Sequence, residues 1–304
     1  MILALDIGGT AVKLGLVDEE GTVHARGSAD VSFDGYRTPV FTTAVRAADA
    51  FLQAHQTDIG GIAVSATGQV ETDTGIVVGT NGKIPNYEGT NLKAGLEAAF
   101  GKESWALNDA NAAVLGECFT GAARGLKDVL MVTLGTGVGG GVVTGGRLLE
   151  GRRGIGGELG HMPLRADGPP CPCGLAGCYE SYASVTALVR RCEEASGLSG
   201  LDGRRIFRLV SEGNRYLANA LNGWIRDVAA GLCGLVHLFN PEMVLVGGGV
   251  STQEDLLIRP LREAVLSQVM PRFREGLRLE RASLGNDAGI VGAVRFWLDR
   301  HQSA

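Results

Sequence analysis

Apolar residues in this chain fall into short dense runs separated by glycine-rich turns, and each run shows its own period. Residues 2–7 read as a buried strand, DIGGT at 6–10 turns it, and Val12–Val17 returns as a second strand. Gly21–Arg26 extends the meander. Thr42–His55 has helical spacing through Val45, Ala48, Phe51 and Leu52. Gly61–Ser65 is a short strand followed by the turn at 66–70, and residues 71–90, rich in Thr, Gly and Asn, read as loop. Leu92–Phe100 is a helix and Ser104–Leu107 a strand. Asn108 and Asp109 fall at its end, where a helix runs from Asp109 to Phe119. The pattern then recurs: a strand at Asp128–Leu134, a turn at 135–141, and a return strand at Gly141–Thr144.

Helices are expected near 183–196, 203–211 and 214–239. The last has one apolar face through Leu217, Leu221, Trp224, Val228, Leu232, Leu235 and Phe239, and Asn240-Pro241 stops it. A strand at Met243–Val246 ends in three glycines. A helix at Leu256–Met270, a strand at Leu277–Leu279 and a helix at Ala288–Asp299 complete the chain. The repeated strand–turn–strand hairpin is a weak internal duplication and predicts two α/β domains with a cleft between them. The division expected is residues 1–108 plus 287–304 against residues 109–286.

Composition narrows the function classes. The 304 residues are 45% hydrophobic and 20% charged, as in a folded globular chain, and the net charge of −5 with no Lys/Arg run argues against nucleic-acid and membrane partners. The first residues lack a basic segment, so no signal peptide is expected, and no apolar run is long enough to span a bilayer. Six Cys in a chain this long make no disulfide framework, which predicts a reduced, cytoplasmic protein. Glycine, at 47 residues, is roughly twice its average share. It gathers at 8–9, 135–146, 151–160 and 247–249, beside the predicted strands.

Residues 154–182 concentrate the chemistry. His161, Cys171, Cys173 and Cys178 form a complete tetrahedral donor set for Zn²⁺ of the closed, structural kind, flanked by Glu158 and Glu180. Reduced thiols without metal are the alternative. The turn from Asp6 to Lys13 brings Gly8, Gly9 and Thr10 together. It reads either as a phosphate cradle, with Asp6 holding a Mg²⁺ water, or as a capped hairpin. The turn at Thr136-Gly137 reads as a second phosphate cradle or as a Gly-rich hairpin, and that at Gly247-Gly248-Gly249 as a nucleotide face or phosphate end or as a close strand–helix packing turn. None is a Walker A or a dinucleotide fingerprint. Asn108-Asp109 reads either as a proton acceptor at a strand end or as a helix cap.

In order, DIGGT (6–10), SATGQV (65–70), NDAN (108–111), LGTGVGGG (134–141), GELGH (157–161), CPCGLAGCYES (171–181) and VGGGV (246–250) resemble the ROK family of sugar kinases and regulators. The resemblance covers essentially the whole chain, and the histidine–cysteine segment is its most specific part. It implies an α/β, two-domain, actin-like ATPase (ribonuclease H-like) fold with an interdomain cleft. It implies an ATP- and Mg²⁺-dependent kinase with a structural Zn²⁺, acting in carbohydrate metabolism on a hexose or N-acetylhexosamine. Asp109 would take the proton of the sugar 6-hydroxyl. Asn108, Glu158, His161 and Glu180 would bind sugar hydroxyls, with Gly68 and Asn81 nearby, and His161 would also bind zinc. Asp6, Gly8, Gly9, Thr10 and Lys13 match the first phosphate motif, Thr136 and Gly137 the second, and Gly247 to Gly249 the adenosine motif. Many members carry Lys directly after DIGGT, whereas here Ala11 stands there and Lys13 follows.

Residues 135–184 and 84–92 look most like N-acetylmannosamine kinases, with glucokinases close behind. Members are commonly homodimers. The regulators of the family place a DNA-binding domain before the first motif, and Asp6 so near the start disfavours that class. Asp6 and Asp109, both present, disfavour a sugar-binding pseudokinase.

Overall fold

The computed structural model describes residues 1–80 and 84–302. In chain order the strands are β1 (Ile2–Ile7), β2 (Ala11–Val17), β3 (Val23–Asp30), β4 (Gly61–Ala66), β5 (Gln69–Glu71), β6 (Ile76–Gly79), β7 (Ser104–Asn108), β8 (Val129–Leu134), β9 (Val138–Thr144), β10 (Arg147–Leu148), β11 (Met243–Gly247) and β12 (Arg278–Arg281). The α-helices are α1 (Val40–His55), α2 (Leu92–Phe100), α3 (Asp109–Phe119), α4 (Glu180–Ala183), α5 (Val185–Ser196), α6 (Gly203–Ser211), α7 (Arg215–Phe239), α8 (Arg259–Gln268), α9 (Pro271–Arg274) and α10 (Ala288–His301). Among the described residues no helix is long and apolar enough to cross a membrane.

The chain forms two compact units. One gathers Met1–Gly125, Leu148–Gly157 and Asn286–Ala304, the other Leu126–Arg147 and Glu158–Gly285. In the first, the sheet order is β3-β2-β1-β4-β7. β1 pairs antiparallel with β2 and parallel with β4, which pairs parallel with β7. β4 is buried at every position, as a central strand covered on both faces must be. β3, at the edge, alternates half-buried and exposed residues. The second unit repeats the plan, in the order β10-β9-β8-β11-β12, with β8 antiparallel to β9 and parallel to β11. Its core collects around Trp224 on α7, whose first turn is capped by Asn214 and whose end falls at Asn240 in the left-handed conformation.

Three expectations are corrected. The division expected between 108 and 109 falls instead at Gly125, because α3 packs on α10 with almost no space between backbones. A Cβ on Gly116 would lie 2.5 Å from the Ala288 carbonyl oxygen, and one on Gly292 would collide with that of Ala112. Residues 148–157 also return to the first unit, where Asn111 Nδ2 donates to Gly156 O at 2.9 Å and Arg300 pairs with Glu150. Residues 71–90 are not all loop, since β6 pairs antiparallel with β5. The helix expected from Leu256 begins as a π-helical segment, Glu254–Ile258, and turns α only at Arg259. Pro260 has no N–H to give the preceding turn, so the regular ladder cannot run through it.

The α3–α10 contact sets a sign that helix propensity alone would reverse. Ala is favoured over Gly inside a helix by roughly 0.8–1 kcal/mol, yet Gly292→Ala is expected to lower stability by about 2–4 kcal/mol through backbone displacement. Gly234 on α7 has open space around its Cβ position, and Gly234→Ala is expected to stabilise by roughly 0.4–1 kcal/mol. Thermal and denaturant unfolding of the two variants reads both signs.

Candidate functional site

Each unit carries part of the expected residues. In the first, β1 runs into a turn closed by Gly8 N–H donating to Ala11 O at 3.0 Å. The Tyr36 hydroxyl donates to Gly9 O at 2.7 Å, and Tyr36 itself holds φ 65, a left-handed conformation that a bulky residue rarely adopts. Asp6 lies opposite Lys13 in the β1–β2 register. Its Oδ2 meets Lys13 Nζ at 3.2 Å, and its Oδ1 accepts from Ser65 Oγ at 2.7 Å. The start of α10 presses on the same carboxylate, since a Cβ on Gly289 would lie 2.9 Å from Asp6 Cγ. Thr10 is exposed beside the turn. Ser65 opens the SATGQV motif but has no assigned role there, and Tyr36 lies outside every motif, because both contacts come from distant segments.

Asn108 and Asp109 join β7 to α3. Asn108 caps the helix, its Oδ1 accepting from Ala110 N and Asn111 N at 2.9 and 3.1 Å. Its Nδ2 donates to Gly68 O at 2.9 Å and to Asp109 Oδ1 at 3.1 Å. Asp109 Oδ1 also accepts from Ala110 N at 2.8 Å, so two N–H groups fix the carboxylate. Capping thus leaves the Asn108 amide nitrogen free of the helix end to orient the neighbouring carboxylate, and Gly68 reaches Asn108 from a left-handed turn, φ 91, that a side chain would obstruct. Tyr87, to which the sequence reading gives no role, is buried with no hydrogen-bond partner for its hydroxyl among the described residues. Burial, and after it the charges of Asp109 and Asp6, push its phenol well above the usual tyrosine range. Asn81 lies outside the described residues.

In the second unit, Gly135, Thr136 and Gly137 turn β8 into β9. Gly135 N–H donates to Gly137 O at 3.0 Å. A cavity of about 550 Å³ is lined by Thr136, Thr186, Asp202, Arg204, Gly249 and Gln253, among others, so the second and third glycine turns share one cavity. Gly247 and Gly248 serve close approach: a Cβ on Gly248 would collide with the Leu134 carbonyl oxygen. Part of the run at 138–141 also serves packing. A Cβ on Gly140 would lie 2.5 Å from Leu159 Cδ1, and one on Gly160 would collide with Val138 O. That contact seats the segment bearing Glu158 and His161 directly on β9.

The His161, Cys171, Cys173 and Cys178 ligand atoms all lie within 4.8 Å of one another. Cys173 and Cys178 sulfurs are 3.7 Å apart, and Cys171 Sγ is 3.6 Å from His161 Nδ1. A tetrahedral zinc with bonds of about 2.3 Å to sulfur and 2.0–2.1 Å to nitrogen has edges of roughly 3.8 and 3.6 Å. The donor set therefore fits that ion in spacing as well as chemistry. With Nδ1 turned to the thiols, His161 Nε2 lies 3.8 Å from Glu158 Oε2. Burial and the adjoining Cys173 and Cys171 push the Cys178 thiol up to about 12 in the bare cluster, a cost that a bound divalent cation reverses. Glu180, at the start of α4, accepts from Val138 N–H at 2.9 Å through Oε2. Tyr179 holds that helix to α7, its hydroxyl donating to Val228 O at 2.7 Å.

Known proteins resemble this chain along nearly its whole length. The ROK family profile matches residues 2–300. A glucokinase of Thermotoga maritima is 34% identical over 98% of this chain and 98% of its own length. A β-glucoside kinase of Listeria monocytogenes is 35% identical over 99% of each. The structure of a ROK family glucokinase from Streptomyces griseus, in complex with glucose and AMPPNP, superposes with a TM-score of 0.84 at 31% identity, covering 97% of this chain and 98% of that one. The chain belongs to the ROK family, and its fold is that of the actin-like ATPases.

The Asn108 geometry separates its two roles. Asn108→Ala removes the cap and the bond to Gly68, and is expected to cost about 1–2 kcal/mol of stability. Asn108→Asp keeps an acceptor for the cap and is expected to retain more of that stability, as denaturant unfolding would show.

Proposed function

We propose that this sugar kinase of the ROK family transfers the γ-phosphoryl group of ATP to the 6-hydroxyl of glucose, with Asp109 as the general base. The observation that carries this reading is the Asn108-Asp109 junction, where two N–H donors orient a carboxylate at a strand end. Phosphoryl transfer asks little covalent chemistry of a protein. It asks for in-line positioning and for charge stabilisation on the phosphates. Asp109 would accept the hydroxyl proton as the oxygen attacks phosphorus.

Asn108, Glu158, His161 and Glu180 would bind the remaining sugar hydroxyls, with Gly68 shaping the approach. The turns at Gly8–Thr10 and Gly135–Gly137 would present N–H groups to the phosphates, and the cavity running from Thr136 to Gly249 would take the nucleoside. Lys13, paired with Asp6, stands within the same cluster and would add positive charge near the phosphates. Asp6, fixed by Ser65, would hold Mg²⁺ through a water. That ion supplies neutralisation of phosphate charge when bound.

Zinc on His161, Cys171, Cys173 and Cys178 would be a structural clip, since four protein ligands leave no open position. With Nδ1 committed to the metal, His161 would present Nε2–H as a donor to a sugar oxygen. The fixed imidazole and the adjoining Glu158 would then form one rigid recognition surface.

Support for glucose comes from a glucokinase and a β-glucoside kinase that match across the full chain, and N-acetylmannosamine stands as the second reading because an N-acetylmannosamine kinase-like structure from Listeria monocytogenes matches over the same span. A coupled assay with Mg-ATP is expected to rank glucose first among glucose, mannose, N-acetylglucosamine and N-acetylmannosamine. Preferred turnover of N-acetylmannosamine would overturn this choice of sugar. Asp109→Asn is expected to lower kcat by about 10²–10⁴-fold while glucose still binds; wild-type-like turnover would remove Asp109 as base. Cys173→Ser is expected to lose zinc and raise the glucose KM with little change in ATP KM. Less than about half an equivalent of zinc in wild-type protein would argue against the clip.

A further inference from the structure

We propose that Thr186 is a positioning residue for the phosphate turn and that, together with Glu180, it couples sugar occupancy to nucleotide affinity. The inference rests on the reading above, in which the turn takes phosphates and Glu180 takes sugar. Three bonds brace residues 135–138 against residues 180–186. Val185 N–H donates to Gly135 O at 2.8 Å. The Thr186 hydroxyl donates to Thr136 O at 2.8 Å. Val138 N–H donates to Glu180 Oε2 at 2.9 Å.

Peptide planarity converts these bonds into directions. In a trans peptide the N–H points opposite to the C=O. With the Gly135 and Thr136 carbonyls drawn toward α5, the N–H groups of Thr136 and Gly137 point away from it. Consecutive N–H groups turned to one side make an anion-binding concavity. Thr136 stands between two glycines, so little in the turn itself resists a peptide flip. A flip would aim a carbonyl oxygen where an N–H is needed, and the Thr186 hydroxyl opposes it.

Glu180 ties the turn to the sugar side. A Cβ on Gly137 would collide with the Glu180 carboxylate, so the turn admits this bond only because residue 137 is glycine. A carboxylate with one oxygen on Val138 N–H has a second oxygen to offer a sugar hydroxyl. Sugar bound there would restrain the carboxylate, and through it the Val138 amide and the turn. By linkage, sugar that tightens nucleotide binding is itself tightened by nucleotide to the same factor.

Thr186 is exposed, so its substitution spares the core. The test is calorimetric titration with a non-hydrolysable ATP analogue, with and without glucose, alongside initial rates. Thr186→Val is expected to weaken nucleotide binding about 2–12-fold, the loss of one hydrogen bond. Its glucose KM at saturating ATP is expected to change less than about twofold. Thr186→Ser, which restores the hydroxyl, is expected to return nucleotide affinity to near wild type. Gly137→Ala, which displaces Glu180, is expected to weaken both ligands and abolish their coupling. Wild-type nucleotide affinity in Thr186→Val, or no rescue by Thr186→Ser, would overturn the role of Thr186. Undiminished coupling in Gly137→Ala would overturn the link through Glu180. Failure of the wild-type protein to phosphorylate any hexose would instead count against the proposed function, since nucleotide binding is read separately.

Discussion

The structure depends on backbone lying against backbone, with no room for a Cβ between them. Gly292 sits against the Ala112 carbonyl, Gly160 against Val138, Gly177 against Arg165 and Gly248 against Leu134. At each point a carbonyl oxygen occupies the volume that a side chain would need. Glycine richness here is therefore a steric requirement more than a source of mobility. The distances so fixed are those of the elements that carry the proposed site: α3 with Asp109 on α10, the Glu158–His161 segment on β9, and the end of β11 on β8.

Close approach alone does not aim a side chain, and the carboxylates show how aim is achieved. Asp109 is held by the Asn108 amide and the Ala110 N–H. Asp6 is held by a hydroxyl and an ammonium, from Ser65 and Lys13. Glu180 is held by the Val138 amide. Asp227, buried on α7, is held by two guanidinium groups, those of Arg165 and Arg191. Different partners leave these acids with different chemistry to offer. Asp227 is committed to ion pairing, and its work is to tie the cysteine-bearing segment to α5 and α7. Asp109 is oriented by neutral donors, which suits a group proposed to receive a proton.

Much of this was legible in the sequence, and the reasons are local. The hairpin at residues 2–17 announced itself by two apolar runs around a glycine turn, and the start of α3 by the capping pair Asn108-Asp109. The cysteine spacing announced a four-donor cluster. The division into units was misread because α3 follows β7 directly, while its packing partner α10 lies far along the chain. β6 was missed because Thr and Gly dominate residues 71–80, and its pairing with β5 is decided by register. The glycine run ending at 141 left a phosphate cradle and a plain glycine-rich hairpin both open, and Gly140 proves to be needed by Leu159, a contact that no pattern within that turn reveals. The contacts of Tyr36, Ser65 and Tyr87 were hidden for the same reason, although the last two lie in motifs the sequence marks: each reaches its neighbours from another part of the fold.

The cysteine segment illustrates how such long-range ties build a local function. Its thiols and imidazole define four corners, but corners do not orient the cluster in the protein. That orientation comes from outside the metal set. Gly160 seats one end on β9, Gly177 packs against Arg165 within the loop, Arg165 reaches Asp227 on α7, and Tyr179 anchors the start of α4 to the same helix. A helix of 25 residues thus carries the load of a loop with little regular structure of its own. The donor cluster fixes the loop internally, and α7 fixes it externally. Glu180, one residue beyond Tyr179, inherits its position from both. A rigid carboxylate is the outcome, and rigidity is what recognition of a sugar hydroxyl requires.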